Sequence, residues 1–255
     1  MTLAVVTGAS RGIGRALVER LLSDGYDVVS LSRSGDGVAG SPSYPLDVAD
    51  PAAVGDAFRR IERDHGVPDL LVNNAALSGG SARTLETSAD DWWRVLEVNV
   101  RGTDLCTRAV LPGMLARGSG RIVNVSSGAA TYPVGLDGDG KLNSAYLTSK
   151  AAVNRYTEAL AGEVYAQGLR VFAISPGMVK TDMTAEVFMD DWDDEQVWTP
   201  MERSLDLIVD LASGMLDPLS GRYFRAAYDD WHDLARRADE VVAADACVQR
   251  LVVFP

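Results

Sequence analysis

Apolar residues recur along this chain in two alternating rhythms. Near-continuous runs of strand length, LAVVT (3–7), DVVSL (27–31), DLLVN (69–73), RIVNVS (121–126), RVFAIS (170–175) and GRYF (221–224), are separated by longer stretches in which apolar positions return every three or four residues. Runs without polar alternation suit strands buried on both faces. Their separation by helices predicts a parallel sheet covered on both sides, a doubly wound α/β fold of Rossmann type. Helices are expected at 13–23, 52–64, 89–116, 144–166, 202–215 and 230–246; the last leads into an apolar tail, LVVFP, that packs on the core or on a neighbouring subunit. The 255 residues suit one domain, and no fixed-period repeat or low-complexity tract divides them.

Charge and composition narrow the function. A formal charge of −12 argues against a nucleic-acid partner, which would need a basic face. No apolar run approaches the length of a membrane span, and the first is only a strand's length and runs into glycines, unlike a secretory signal. A cytoplasmic location is therefore expected, with Cys106 and Cys247 as free thiols. His65 and His232 are isolated, and no cluster with metal-ligand spacing is visible.

The sharpest local feature follows the first strand, where Gly8, Gly12 and Gly14 lie between Thr7 and a helix that begins near Ile13. Glycines in a strand-to-helix turn let the backbone approach a pyrophosphate, whose charge the helix N-terminus stabilises. Their spacing is not the usual G-x-G-x-x-G. The form Thr-Gly-x-x-x-Gly-x-Gly resembles the cofactor loop of the short-chain dehydrogenase/reductase superfamily, in its single-domain form. LDV (46–48), NNAA (73–76, with Ala76 in place of the family's glycine), VNVRG (98–102), VSSG (125–128), YLTSK (146–150) and PGMVKT (176–181) follow in the family's order.

That resemblance implies a cofactor site made by Gly8, Ser10, Arg11, Gly12, Ile13 and Gly14 of the loop. Asp47 and Val48 would meet the adenine, and Asn74, Ala75, Pro176, Gly177, Val179 and Thr181 the rest of the dinucleotide. The second strand ends in Ser32 and Arg33, with no acidic side chain to bind a ribose 2′-hydroxyl. A guanidinium there suits a 2′-phosphate, and Arg11 could reach the same group, so NADP(H) is expected.

Hydride transfer to a carbonyl leaves an alkoxide that must be protonated. Tyr146 and Lys150 are spaced to share one face of a helix, and an ammonium beside a tyrosine stabilises its anion. In the family's pattern a serine from the end of the preceding strand polarises the substrate oxygen; Ser126 and Ser127 are adjacent candidates, and alignment on IVNVSS favours Ser127. By the same resemblance Asn99 holds a water that relays protons to Lys150. The expected activity is a carbonyl reductase or alcohol dehydrogenase. An epimerase or dehydratase that retains its nicotinamide, and a non-catalytic NADPH sensor, are the alternatives.

The stretch 132–144 is longer than the family's usual one; its DGDGKL lacks the ligands of a calcium loop, and a loop beside the substrate mouth is expected. The segment 182–200 takes the place of the family's substrate lid. It mixes Phe188, Met189, Trp192 and Trp198 with seven acids, which suits a hydrophobic, uncharged substrate, although the acids equally suit a solvated face. On the helix at 89–116, Trp93, Leu96 and Val100 form one stripe, while Trp92, Cys106 and Val110 lie off it. The family pairs this helix and that at 144–166 between subunits, so a homodimer or homotetramer is expected.

Overall fold

The computed structural model describes residues 2–131, 144–188, 193–195 and 197–250. Seven strands form one parallel sheet: β1 (Leu3–Thr7), β2 (Asp27–Ser32), β3 (Ser43–Pro45), β4 (Leu70–Asn73), β5 (Gly120–Val125), β6 (Leu169–Ser175) and β7 (Tyr223–Arg225), in the order β3-β2-β1-β4-β5-β6-β7. The order reverses between β1 and β4, and a crevice opens there at the carboxyl ends of the strands.

Successive β1 residues face opposite ways and belong to different cores. Ala4 and Val6 pack with Leu17 and Leu21 of α1 (Gly12–Ser23), Ile208 of α7 (Met201–Ser213) and Trp231 of α8 (Trp231–Arg236). Leu3 and Val5 pack with Phe58 and Ile61 of α2 (Pro51–His65), Met114 of α4 (Gly102–Arg117) and Leu160 of α5 (Ser144–Val164). The near-continuous apolar strands thus reflect burial on both faces. The remaining helices are α3 (Ala89–Leu96), α6 (Asp182–Phe188) and α9 (Ala238–Ala243).

Two expected elements differ, and one strand, β3, is not expected from the sequence. The helix expected at 89–116 is interrupted by a π-helical turn, Glu97–Arg101. The wider turn changes the helical phase only beyond it; Cys106 and Val110, expected off the first apolar stripe, are buried, while Trp93, expected on that stripe and lying before the turn, is 57% exposed. The helix expected at 230–246 is two, α8 and α9, parted at Arg237 (φ −107°, ψ 30°). β3 has only three residues and ends in Pro45, which an edge strand tolerates. The expected loop at 132–144 and the LVVFP tail lie outside the described residues, apart from Ser144, the first residue of α5.

Candidate active site

A cavity of about 610 Å³ fills the crevice, within the range of small-molecule and cofactor sites. Gly8 takes φ +68°, and a Cβ there would lie 2.8 Å from Ala75 Cα. Gly14 is required by close approach: a Cβ would lie 2.3 Å from the Gly8 carbonyl oxygen and 2.5 Å from Asn74 Nδ2. Asn74 holds the turn from the other side by donating to the Thr7 and Gly8 carbonyls at 2.9 and 3.2 Å, while Thr7 Oγ1 accepts from the Asn74 and Ala75 amides. No side chain caps the N-terminus of α1, so its first amides are left for an anion in the cavity. These features fit a dinucleotide pyrophosphate.

Of the residues expected at the cofactor, Gly8, Ser10, Arg11, Gly12 and Ile13 line the cavity from the first loop. Ser32, Arg33, Asp47 and Val48 line it from the ends of β2 and β3, and Asn74, Ala75, Pro176 and Thr181 from the other side. Gly14, Gly177 and Val179 stand behind the wall. Gly177 is at φ +82° against Thr199, whose amide donates to the Met178 carbonyl at 2.7 Å, and Val179 is buried with its carbonyl accepting from Thr184. Arg11 pairs with Asp182 at the start of α6, Nη1 to Oδ2 at 3.0 Å, instead of facing Arg33. Both side chains are about two-thirds exposed, so the pair contributes little and Arg11 is free to exchange partners.

Tyr146 and Lys150 lie one turn apart on α5, with Lys150 Nζ 5.7 Å from the centre of the Tyr146 ring. The Tyr146 side chain hydrogen-bonds that of Ser127. Ser127 also caps the short turn Gly128–Ala130, its Oγ accepting from the Ala129 amide at 3.2 Å. Ser126, the other candidate, is buried and donates to the Lys150 carbonyl at 3.1 Å. Thus Ser127, although outside the cavity wall, is the serine within reach of Tyr146.

Electrostatics at the pair differ from the simple expectation. Burial pushes the Tyr146 pKa up, the Ser127 hydrogen bond working against it, and burial pulls Lys150 down to about 8. The Lys150 ammonium donates to the Val125 carbonyl at 2.8 Å. Desolvation of both groups outweighs the mutual stabilisation expected from their spacing. Asn99 lies in the π-helical turn and is buried. Its Oδ1 accepts from the Leu77 amide at 2.8 Å, and its Nδ2 donates to the Leu77 carbonyl and Ser149 Oγ, both at 2.9 Å. Its side chain therefore fastens the segment that follows β4 to the helix bearing Tyr146.

Several participants are not among the site residues expected from the sequence. Ser34, Leu77, Val98, Val125 and Met183 line the cavity. Two distant side chains hold the Ser127 turn: Tyr223 Oη donates to the Ser127 carbonyl at 3.0 Å, and Gln249 Nε2 to the Ala130 carbonyl at 2.7 Å. Among the described residues no cluster of His, Cys, Asp and Glu is placed to hold a metal, and no helix is long and apolar enough to cross a membrane.

Comparison with known proteins agrees with this architecture. Residues 2–192 match the model of the short chain dehydrogenase family. The short chain dehydrogenase mpl6 of Monascus purpureus is 36% identical over 266 residues, covering 97% of this chain and 88% of that protein. A solved structure described as ribose-5-phosphate isomerase from Brucella melitensis superposes with a TM-score of 0.80 at 30% identity, covering 98% of this chain and 97% of that one. Another, described as an NAD(P)-dependent gluconate 5-dehydrogenase from Beutenbergia cavernae with NADP bound at low occupancy, does so at 0.76 and 31%, covering 88% and 94%. With its seven-stranded doubly wound sheet and a match across most of its length, the chain belongs to the short-chain dehydrogenases, oxidoreductases that bind a nicotinamide cofactor and act on small molecules.

Proposed function

We propose that this protein is an NADP(H)-dependent carbonyl reductase or alcohol dehydrogenase acting on a hydrophobic, uncharged small molecule. The observation that carries the reading is the Tyr146 side chain hydrogen-bonded to Ser127, with Lys150 one helical turn away. Bound in the cavity, the nicotinamide supplies or accepts the hydride. Tyr146 gives its hydroxyl proton to the developing alkoxide, and Ser127 donates to the same oxygen and holds the carbonyl in line. Lys150 keeps positive charge beneath the tyrosinate, and Asn99 fixes the position of the helix on which both stand. The proton relay through Asn99 belongs to this reading, through its main chain or a water, since its amide already bonds Leu77 and Ser149.

Arg33 makes no hydrogen bond or ion pair among the described residues, and it lines the cavity beside Ser32 and Ser34. An unengaged guanidinium at the end of β2 supports a 2′-phosphate, with Arg11 exchanging Asp182 for the same group. Leu77, Val98, Val125 and Met183 in the wall support an apolar substrate. Of the lid's apolar residues, Met189 and Trp192 lie outside the described residues; Trp198 is half-buried with Lys180 Nζ 5.6 Å above its ring. A homodimer or homotetramer through α4 and α5 completes the reading, and light scattering checks it against the 27.3 kDa of one chain.

The decisive test is NADPH oxidation across a panel of apolar ketones. Free NADP⁺ should appear with alcohol product, and Tyr146→Phe should lower kcat by roughly a thousandfold with NADPH affinity intact. Conversion without net NADPH consumption would favour an isomerase or epimerase, and binding without turnover a sensor.

A further inference from the structure

Arg94 of α3 stands outside the cavity wall yet touches a carboxylate within it. Its Nη2 lies 2.6 Å from Asp47 Oδ2, and its Nη1 is 3.4 Å from Glu97. The other Asp47 oxygen accepts from the Ala49 amide at 3.0 Å, so the carboxylate is held from both sides, turned toward α3. Asp47 and Arg33 share the cavity, where the Arg33 charge favours the ionised Asp47 carboxylate. Three charges therefore follow in sequence, Arg94 positive, Asp47 negative and Arg33 positive. Only Arg33 among them lacks an ion-pair partner among the described residues.

We propose that Arg94 is a cofactor-specificity residue: by neutralising Asp47 it keeps the end of β2 positively charged and so favours a dinucleotide bearing a 2′-phosphate over one bearing a free 2′-hydroxyl. Without Arg94 the Asp47 carboxylate acts twice against the phosphate. It repels the phosphate directly, and it draws Arg33 toward itself. A cofactor with a free 2′-hydroxyl carries no charge at that place and is indifferent to both effects. The inference rests on the NADP(H) reading above, and both side chains are over a third exposed, so solvent limits the effect to roughly fivefold to tenfold.

Fluorescence titration with NADPH and NADH tests it without a substrate. The wild-type ratio of dissociation constants comes first: equal affinities would overturn the NADP(H) reading itself. With that preference established, Arg94→Gln should weaken NADPH by about fivefold to tenfold and NADH by less than about twofold. Adding Asp47→Asn to Arg94→Gln should return the ratio to within about twofold of wild type, and 0.5 M salt should shrink the Arg94→Gln effect. Equal weakening of both cofactors, or a ratio that Asp47→Asn does not restore, would overturn the assignment. Two variants keep the test decisive where Arg94→Gln does not fold: Arg94→Lys should keep the wild-type ratio, and Asp47→Asn alone should raise the preference for NADPH. A fall in that preference in either would count against the proposal.

Discussion

The two halves of the crevice are built by different means. On the β1–β4 side each contribution is a short contiguous stretch at the end of a strand, and its contacts run through the backbone: Asn74 to the Thr7 and Gly8 carbonyls, glycine hydrogens where a Cβ would collide. On the β5–β7 side the geometry of Ser127 depends on distant side chains, Tyr223 bonding Ser127 itself across 96 positions and Gln249 bonding Ala130 across 119. Backbone-shaped sites constrain residue type locally, chiefly by forbidding side chains. Sites fastened by distant donors constrain geometry through tertiary structure, where many residue types would serve.

Substitutions in the first half should therefore have steep effects. Gly14→Ala places a methyl against the Gly8 carbonyl and Asn74, with backbone on one side and a side chain bonded twice on the other. Relief requires moving the loop itself. Overpacking of this kind costs roughly 2 kcal/mol, so NADPH affinity should fall by about thirtyfold and the melting temperature by about 5 °C. Titration and thermal unfolding of the same sample check both. Wild-type affinity would show the loop to be more pliable than its contacts imply.

This contrast explains what was legible. Glycines, the Asn74 turn and the Tyr146–Lys150 spacing follow rules of local sterics and helical period, and the two cores follow from strands apolar on both faces. The π-helical turn at Glu97–Arg101 was not legible, because one extra residue in a helical turn changes the phase of the apolar stripe without changing its composition. Beyond it Cys106 lies in the core, and before it Trp93 lies at the surface. α6, within the expected lid, carries no periodic signal across its seven residues. Arg94 reads in sequence as an ordinary solvent-facing helix residue, and its contact with Asp47 spans 47 positions.

The two halves of the crevice meet at Lys150. Burial lowers its pKa to about 8, so in the cofactor-free protein the ammonium is complete below about pH 7 and is lost as pH rises through 8. A bound anionic dinucleotide favours the charged form, so affinity should be highest at neutral pH and decline on the alkaline side. By linkage the NADPH dissociation constant should rise about tenfold between pH 7 and pH 9.5. Lys150→Met should bind weakly at every pH and flatten this profile. An unchanged slope in that variant would assign the titration to another group.

The smallest effects are expected in the second half, and they separate catalysis from binding. Tyr223 is anchored on β7, and its own amide donates to the Cys247 carbonyl at 2.9 Å, which joins β7 to the segment bearing Gln249. Arg250 fixes that segment further, bonding Glu158 of α5 at 2.7 Å and Asp245 at 2.5 Å. The turn that presents Ser127 is thus tied through the C-terminal segment to the helix that presents Tyr146, which holds the two hydroxyls at a constant separation. Removing one neutral hydrogen bond costs about 1 kcal/mol, so Tyr223→Phe or Gln249→Ala should lower kcat by about fivefold each. Because both bonds hold the same turn, the double variant should lose less than the product of the two. NADPH affinity should stay at the wild-type value in all three, since neither side chain reaches the β1–β4 side. Single-turnover reduction rates with parallel NADPH titrations check this; a loss of affinity matching the loss in rate would mean that the two halves are mechanically continuous and that the distinction between them fails.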